Sequence, residues 1–271
     1  MAMVSSINST FVSPGIRQAQ EGFDQAANRI SSAQRINSAA DDAAGLAIAT
    51  RFSSQISGFD QAARNSADGI SLAQTASGDI NSINDNLLRI RELSLQASNG
   101  ALSDSDRQAL NSEATLLRDE INRIAESSSF NGIPLLSQQE GVSFQVGADA
   151  GQTVNVPTAD LLAKLQESGL DQLDISTQAG AQAAVTAADD FQTETLQAAT
   201  EFGASINRFD SVVNQLETSE INAEASRSRI QDADLARQSS ELVRNQILLQ
   251  TSIAVQGQAN QQAGLVLRLL S

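Results

Sequence analysis

Residues 42–99 read DAAGLAIATRFSSQISGFDQAARNSADGISLAQTASGDINSINDNLLRIRELSLQASN. No proline interrupts them, and apolar residues recur at Ile56, Phe59, Ala63, Ile70, Ala73, Ile80, Ile83, Leu87, Ile90 and Ala97. Steps of 3, 4 or 7 residues predict a helix with a seam near the coiled-coil period. Asp41 and Asp42 stand at its front, where carboxylates cap free N–H groups and oppose the helix dipole. Such a helix would be about 86 Å long and cannot bury its stripe against itself. Other helices must cover it.

Upstream, Ser13-Pro14 reads as an N-cap followed by proline at the first helical position. Ile16, Ala19, Phe23, Ala26, Ile30 and Ala33 then follow a heptad seam, and residues 34–42 lose the pattern, as a connector does. Downstream, Asn99-Gly100 is a helix stop. Ser103 with Asp106 resembles a capping box opening a second helix with Leu110, Ala114, Leu117, Ile121 and Ile124 on one face. Asn131-Gly132 and Pro134 break the chain, leaving 133–176 as the only β-like part. Val142, Phe144 and Val146 alternate, as do Val154 and Val156, so a β-hairpin is expected at about 140–157; one short helix fits 158–168.

Helical spacing resumes near Gln178. Phe202, Phe209, Leu216, Ala223 and Ile230 fall seven apart, with Ala198 and Val212 between them. This second long helix, about 80 Å, matches the first and predicts an antiparallel pair. After a connector at 229–234, Leu235, Leu242, Leu249 and Ile253 predict an amphipathic last helix ending in Val266, Leu267, Leu269 and Leu270. The expected fold class is mainly α: a long antiparallel coiled-coil rod with a small β-hairpin unit.

Composition narrows the function. The 271-residue chain carries a formal charge of −15, 3% aromatics and one lysine, Lys164. No basic run exists for phosphates to grip, which argues against nucleic acid. Residues 1–42 hold three arginines against Glu21, Asp24, Asp41 and Asp42. Residues 229–271 hold four against Asp232, Asp234 and Glu241. Both ends are thus nearly neutral, and the acidity lies between them. No cysteine is present, as suits a protein exported without disulfide machinery and a cytosolic one nearly as well. The first thirty residues show no cleavable signal, and no apolar run is long enough for a membrane span.

Without histidine or cysteine, nucleophilic triads and zinc sites lack their usual groups. The pairs Asp41-Asp42 and Asp189-Asp190 could hold a hard cation, but capping and solvation are the favoured reading. Gly45, Gly58, Gly69 and Gly78 are scattered through a helix rather than gathered in a phosphate loop; close helix approach is the better reason for them. No enzyme, metal or cofactor is expected.

The stretch Arg35-Ile36-Asn37-Ser38-Ala39-Ala40-Asp41-Asp42-Ala43-Ala44-Gly45-Leu46-Ala47-Ile48-Ala49 resembles bacterial flagellin. So do Arg64-Asn65-Ser66-Ala67-Asp68-Gly69-Ile70-Ser71, Arg89-Ile90-Arg91-Glu92-Leu93, Phe130-Asn131-Gly132, Asn207-Arg208-Phe209, Ser226-Arg227-Ser228-Arg229-Ile230 and Ala259-Asn260-Gln261. The resemblance implies a filament subunit that self-assembles into a helical tube, lies outside the cell on the flagellum, and serves motility. It implies inner-tube D0 helices at 1–42 plus 229–271 and a D1 bundle at 43–228, with no outer domains. Polymerisation would then rest on Ile16, Phe23, Ile30, Leu242, Leu249, Ile253, Val266, Leu269 and Leu270. Implied partners are copies of itself, a flagellar export chaperone and type III export apparatus, and filament cap and hook-junction proteins. The family's contact motif for a host innate immune receptor falls on Arg89, Leu93 and Glu113; from spacing alone, Arg89 and Leu93 are either an edge of packing or a contact surface. The alternatives are a hook–filament junction protein, whose family tends to have proline where this chain has Ala43, and a coiled-coil binding protein that never polymerises.

Overall fold

The computed structural model describes the backbone of residues 2–269 and the side chains of residues 14–262. The chain runs α1 (Ala2–Ser32), α2 (Ala39–Ala97), α3 (Asp104–Ser127), β1 (Ser129–Phe130), β2 (Ile133–Pro134), β3 (Val142–Gln145) and β4 (Thr153–Val156). It continues with α4 (Leu161–Ser168), a 3-10 turn (Leu170–Gln172), α5 (Gln178–Gln231) and α6 (Leu235–Leu269). Two compact units result. The central unit holds Ile56–Glu220, and the terminal unit holds the residues up to Gln55 and from Ile221 onward.

In the central unit α2 and α5 run antiparallel. Arg91 Nε donates to Asp189 Oδ1 at 2.6 Å, Thr195 Oγ1 to Asn84 Oδ1 at 2.6 Å, and the Phe209 ring meets α2 at Gly69. The core joins Leu72, Ile80, Ile83, Leu87 and Ile90 of α2 to Phe191, Phe202 and Phe209 of α5, all buried. Helix α3 lies along α2, its Ser128 end bonded to Asp79 at 2.5 Å. At its start Ser103 and Asp106 cap each other's backbone N–H groups in the expected capping box. Arg107 is buried here, donating to the Ala97 and Asn99 carbonyls at and just beyond the C-terminus of α2.

The β3–β4 hairpin is found where alternation predicts it. Its loop docks on α2 at a glycine: a Cβ on Gly58 would lie 2.8 Å from that of Ala148, while one on Gly69 would lie 2.5 Å from the tip of Phe209 of α5. Phe144 meets Phe209 edge-on at 5.6 Å, and Asn65 Nδ2 donates to the Gln145 carbonyl at 2.8 Å. Gly78 has open space around it, so close approach explains only some of the helical glycines.

A second small hairpin, β1–β2, starts before the stretch expected to be the only β-like part, with β1 outside it and β2 at its first residues. Asn131 and Gly132 have φ of 50° and 78°, the paired positive values of a two-residue hairpin turn. They reverse the chain within a ladder rather than merely breaking it. The connection from Leu173 to Gln178 is short, and Asn111 Oδ1 anchors it by accepting from the Ile175 N–H at 2.8 Å.

In the terminal unit α1 and α6 pack along one another. Residues 33–35 and 231–233 form a backbone clamp: Arg35 N–H donates to Gln231 O at 2.6 Å and Ala233 N–H to Ala33 O at 2.9 Å. Arg35 also donates through its guanidinium to Ile230 O at 2.5 Å. The second connector is shorter than 229–234, because α5 stays helical to Gln231. Asp42 is extended inside α2 (φ −163°, ψ 96°), and its carboxylate accepts from the Gly45 N–H at 2.8 Å. It is therefore the cap at which the long helix starts.

Two expectations for α1 fail. Pro14 lies inside the helix, which runs from Ala2, although proline cannot donate the backbone hydrogen bond of that turn. Ala33 leaves the seam, adopting φ 55° beyond the last turn, where the clamp turns the chain.

Candidate functional site

Among the described residues no catalytic constellation forms. Among the described residues no acidic cluster could hold a metal ion, and no helix is long and apolar enough to cross a membrane. The paired aspartates act locally. Asp41 accepts from the Ser38 hydroxyl and N–H at 3.0 Å each and from the Asn37 N–H at 3.2 Å; these bonds, the Ser38 hydroxyl's foremost, hold its carboxyl below the usual value. Asp189 pairs with Arg91, and Asp190 is exposed.

The terminal helix pair is the first candidate surface. On α1, Ala19 and Ala26 are buried and Ile16, Phe23 and Ile30 half-buried, the predicted seam. On α6 the less exposed residues are Gln238, Glu241, Leu242, Asn245, Leu249, Ser252, Gln256 and Ala259; apart from Glu241 they step by 4 and 3 in turn, as one helix does against another. Leu242 and Leu249 hold their expected places. Leu235 and Ile253 do not: they are 48% and 55% exposed, because the seam passes through polar residues beside them. Val243, Ile247, Leu248 and Val255 are about as exposed. The helix is thus apolar on faces that its own chain leaves open, and not amphipathic in the expected sense. Val266, Leu269 and Leu270 fall outside the described side chains.

The other candidate surface lies on α2 and α3. Arg89 donates to Glu113 through Nε at 3.0 Å and Nη2 at 2.8 Å, and to Glu92 at 2.8 Å. Hydrogen bonds to Glu113 first, then Glu92, raise the Arg89 pKa further. All three side chains are about half exposed or more. Leu93 is only 1% exposed, so it belongs to the core and not to a surface beside Arg89. The exposed leucine next to Arg89 is Leu88.

Family comparison identifies the chain. Residues 5–140 match the model of the bacterial flagellin N-terminal helical region, and residues 185–270 match that of the C-terminal helical region. The chain belongs to the bacterial flagellin family. A flagellin of Halalkalibacterium halodurans is 40% identical over 247 residues, covering 91% of each chain. Polar flagellin F of Vibrio parahaemolyticus is 32% identical, with 94% of this chain and 95% of the other aligned. Against a flagellin of Serratia marcescens, 44% identical, this chain spans 50% of the relative's length. The crystal structure of Bacillus cereus flagellin aligns with 56% of this chain and 88% of its own (TM-score 0.52, 28% identity). A structure assigned as a flagellar hook-associated protein, also from Vibrio parahaemolyticus, shares the fold (TM-score 0.60, 18% identity). As a flagellin the chain is a structural subunit of the extracellular flagellar filament, a homopolymer, and not an enzyme.

Proposed function

We propose that this flagellin polymerises through its terminal helix pair, with the open apolar faces of α6 buried against other copies. One observation carries the reading: Val243, Ile247, Leu248, Ile253 and Val255 are about half exposed on a helix already packed against α1. Apolar side chains outside the seam with α1 are best buried against another helix, and a neighbouring subunit can supply one. Residues 1–42 with 229–271 serve as D0 and 43–228 as D1, with no outer domain. The short Leu173–Gln178 connection and the matched length of the Halalkalibacterium relative support this. The test replaces Val243, Ile247 and Leu248 together by serine and follows sedimentation after seeding. Loss of polymer with an unchanged central helical signal is expected; polymer at the unmodified rate would refute the assignment.

Partners beyond the homopolymer follow from the family. They are an export chaperone on the last helix, the type III export apparatus, and the cap and hook-junction proteins. A host innate immune receptor would meet the monomer at Arg89 and Glu113, with Leu93 supporting α2 from beneath.

A further inference from the structure

Asn99-Gly100 carries more chemistry than a helix stop requires. Both residues are exposed in the loop between α2 and α3. The Asn99 side chain folds back over its own following peptide, its Oδ1 accepting from the Ala101 N–H at 3.1 Å, as in an Asx turn. That turn encloses the Gly100 nitrogen, the atom that would close a five-membered ring with Asn99 Cγ. Among the described residues no acceptor takes the Gly100 N–H. A Cβ on Gly100 would meet only Gln178 Nε2, at 3.9 Å. The nitrogen is therefore free to attack, and the carbonyl it would attack is polarised by a donor placed where negative charge develops.

Among the described residues, no other asparagine followed by glycine or serine combines these features. Asn65-Ser66, Asn81-Ser82 and Asn111-Ser112 lie within α2 and α3, whose hydrogen-bond ladders hold the following N–H. After Asn37, the Ser38 N–H is taken by Asp41 at 3.0 Å. Asn131-Gly132 is the same dipeptide, but it is held at positive φ between paired strands, and no donor among the described residues reaches its side chain.

We propose that Asn99 is a site of spontaneous modification, where the chain converts its own side-chain amide to aspartyl and isoaspartyl linkages with water as the only co-reactant. Hydroxide removes the Gly100 N–H proton, and the nitrogen attacks Asn99 Cγ while Ala101 N–H steadies the oxyanion. The bond from Cγ to Nδ2 breaks, ammonia leaves and a succinimide closes. Water then opens the ring. Attack at Cγ restores the main chain as an aspartyl residue, and attack at the other carbonyl reroutes it through Cγ as an isoaspartyl one. One water is consumed and one ammonia released. In the isoaspartyl form the main chain is a methylene longer at the α2–α3 corner. The former Asn99 carbonyl, which accepts from buried Arg107 at 3.0 Å, becomes a free carboxylate.

The test incubates the full-length monomer at mildly alkaline pH in water labelled with heavy oxygen, so that label marks conversion before digestion. Cleavage after arginine and lysine places Asn99 in the peptide 92–107 and Asn131 in 124–164. Label should enter position 99, with isoaspartate formed there, at least about tenfold faster than position 131. In concentrated urea the two rates should converge, because the fold no longer distinguishes the two dipeptides. Gly100→Ala should slow conversion by crowding the attacking nitrogen; Gly100 is not at positive φ, so the variant keeps the loop. Equal native rates at the two positions, or a difference that survives in urea, would overturn the proposal. Conversion undiminished in Gly100→Ala would overturn the ring-closing step.

Discussion

At Gly69 the absence of one carbon decides how three elements meet. The tip of Phe209 occupies the place a side chain would take, and Phe144 closes on the same ring from the hairpin. Gly69→Ala should therefore cost about 1–3 kcal/mol by overpacking, despite the better helix propensity of alanine. Urea unfolding that showed a gain instead would contradict this packing. The glycine's position inside a helix was legible in the sequence, but its reason was not, since Phe209 is distant in the chain. Leu93 teaches the same limit. A two-helix seam leaves it on a neighbouring face, whereas α2 is covered by α3 and α5 together, which widens the buried stripe. Leu93→Ala should thus destabilise the central unit by about 2–5 kcal/mol. Arg89→Ala, at an exposed ion pair, should leave the unfolding midpoint nearly unchanged. Receptor activation by monomer is accordingly best tested with Arg89→Ala and Glu113→Ala at intact helicity. Full activation by that double variant would remove both residues from the contact.

Among the elements, α3 was the most legible, because a capping box is written within four residues. Its chemistry also predicts a pH response. Hydrogen bonds from the Ser103 side chain, then its backbone, hold the Asp106 carboxyl below its usual 3.8. A depressed folded-state value contributes stability that is fully present above the unfolded pKa and is lost as pH falls through the folded one. Asp106→Asn should therefore lower Tm at about pH 7, and the gap to the unmodified chain should close by about pH 2. A gap that persists in acid would assign the effect to something other than the carboxylate. The β1–β2 hairpin escaped notice because two-residue strands are too short to show alternation, although Asn131-Gly132 is a strong hairpin turn signal. Helix α6 was misread for a different reason. Apolar spacing marks a seam only where a partner helix meets it, and the less exposed stripe of α6 runs through Gln238 and Asn245, the latter against Gly22 of α1, instead of Leu235 and Ile253.

For the whole molecule, charge and apolar surface are separated along the sequence. The ends are nearly neutral while the formal charge of −15 falls on the residues between them. Copies brought together by their ends must hold those acidic segments close, so salt should screen the repulsion and speed polymerisation. Elongation rates equal at about 20 mM and about 150 mM salt would count against this, since screening differs strongly over that range. The two long helices, their antiparallel sense and the β3–β4 hairpin were all legible from periodicity and matched length, because each is written in local apolar spacing. What covers the open faces of α6 was not, because no local spacing in the sequence marks their partner. A reconstruction of the assembled filament by electron cryo-microscopy tests the central claim most directly. It should show Val243, Ile247, Leu248 and Val255 buried against neighbouring subunits, and filaments held only through residues 56–220 with these side chains facing solvent would contradict it.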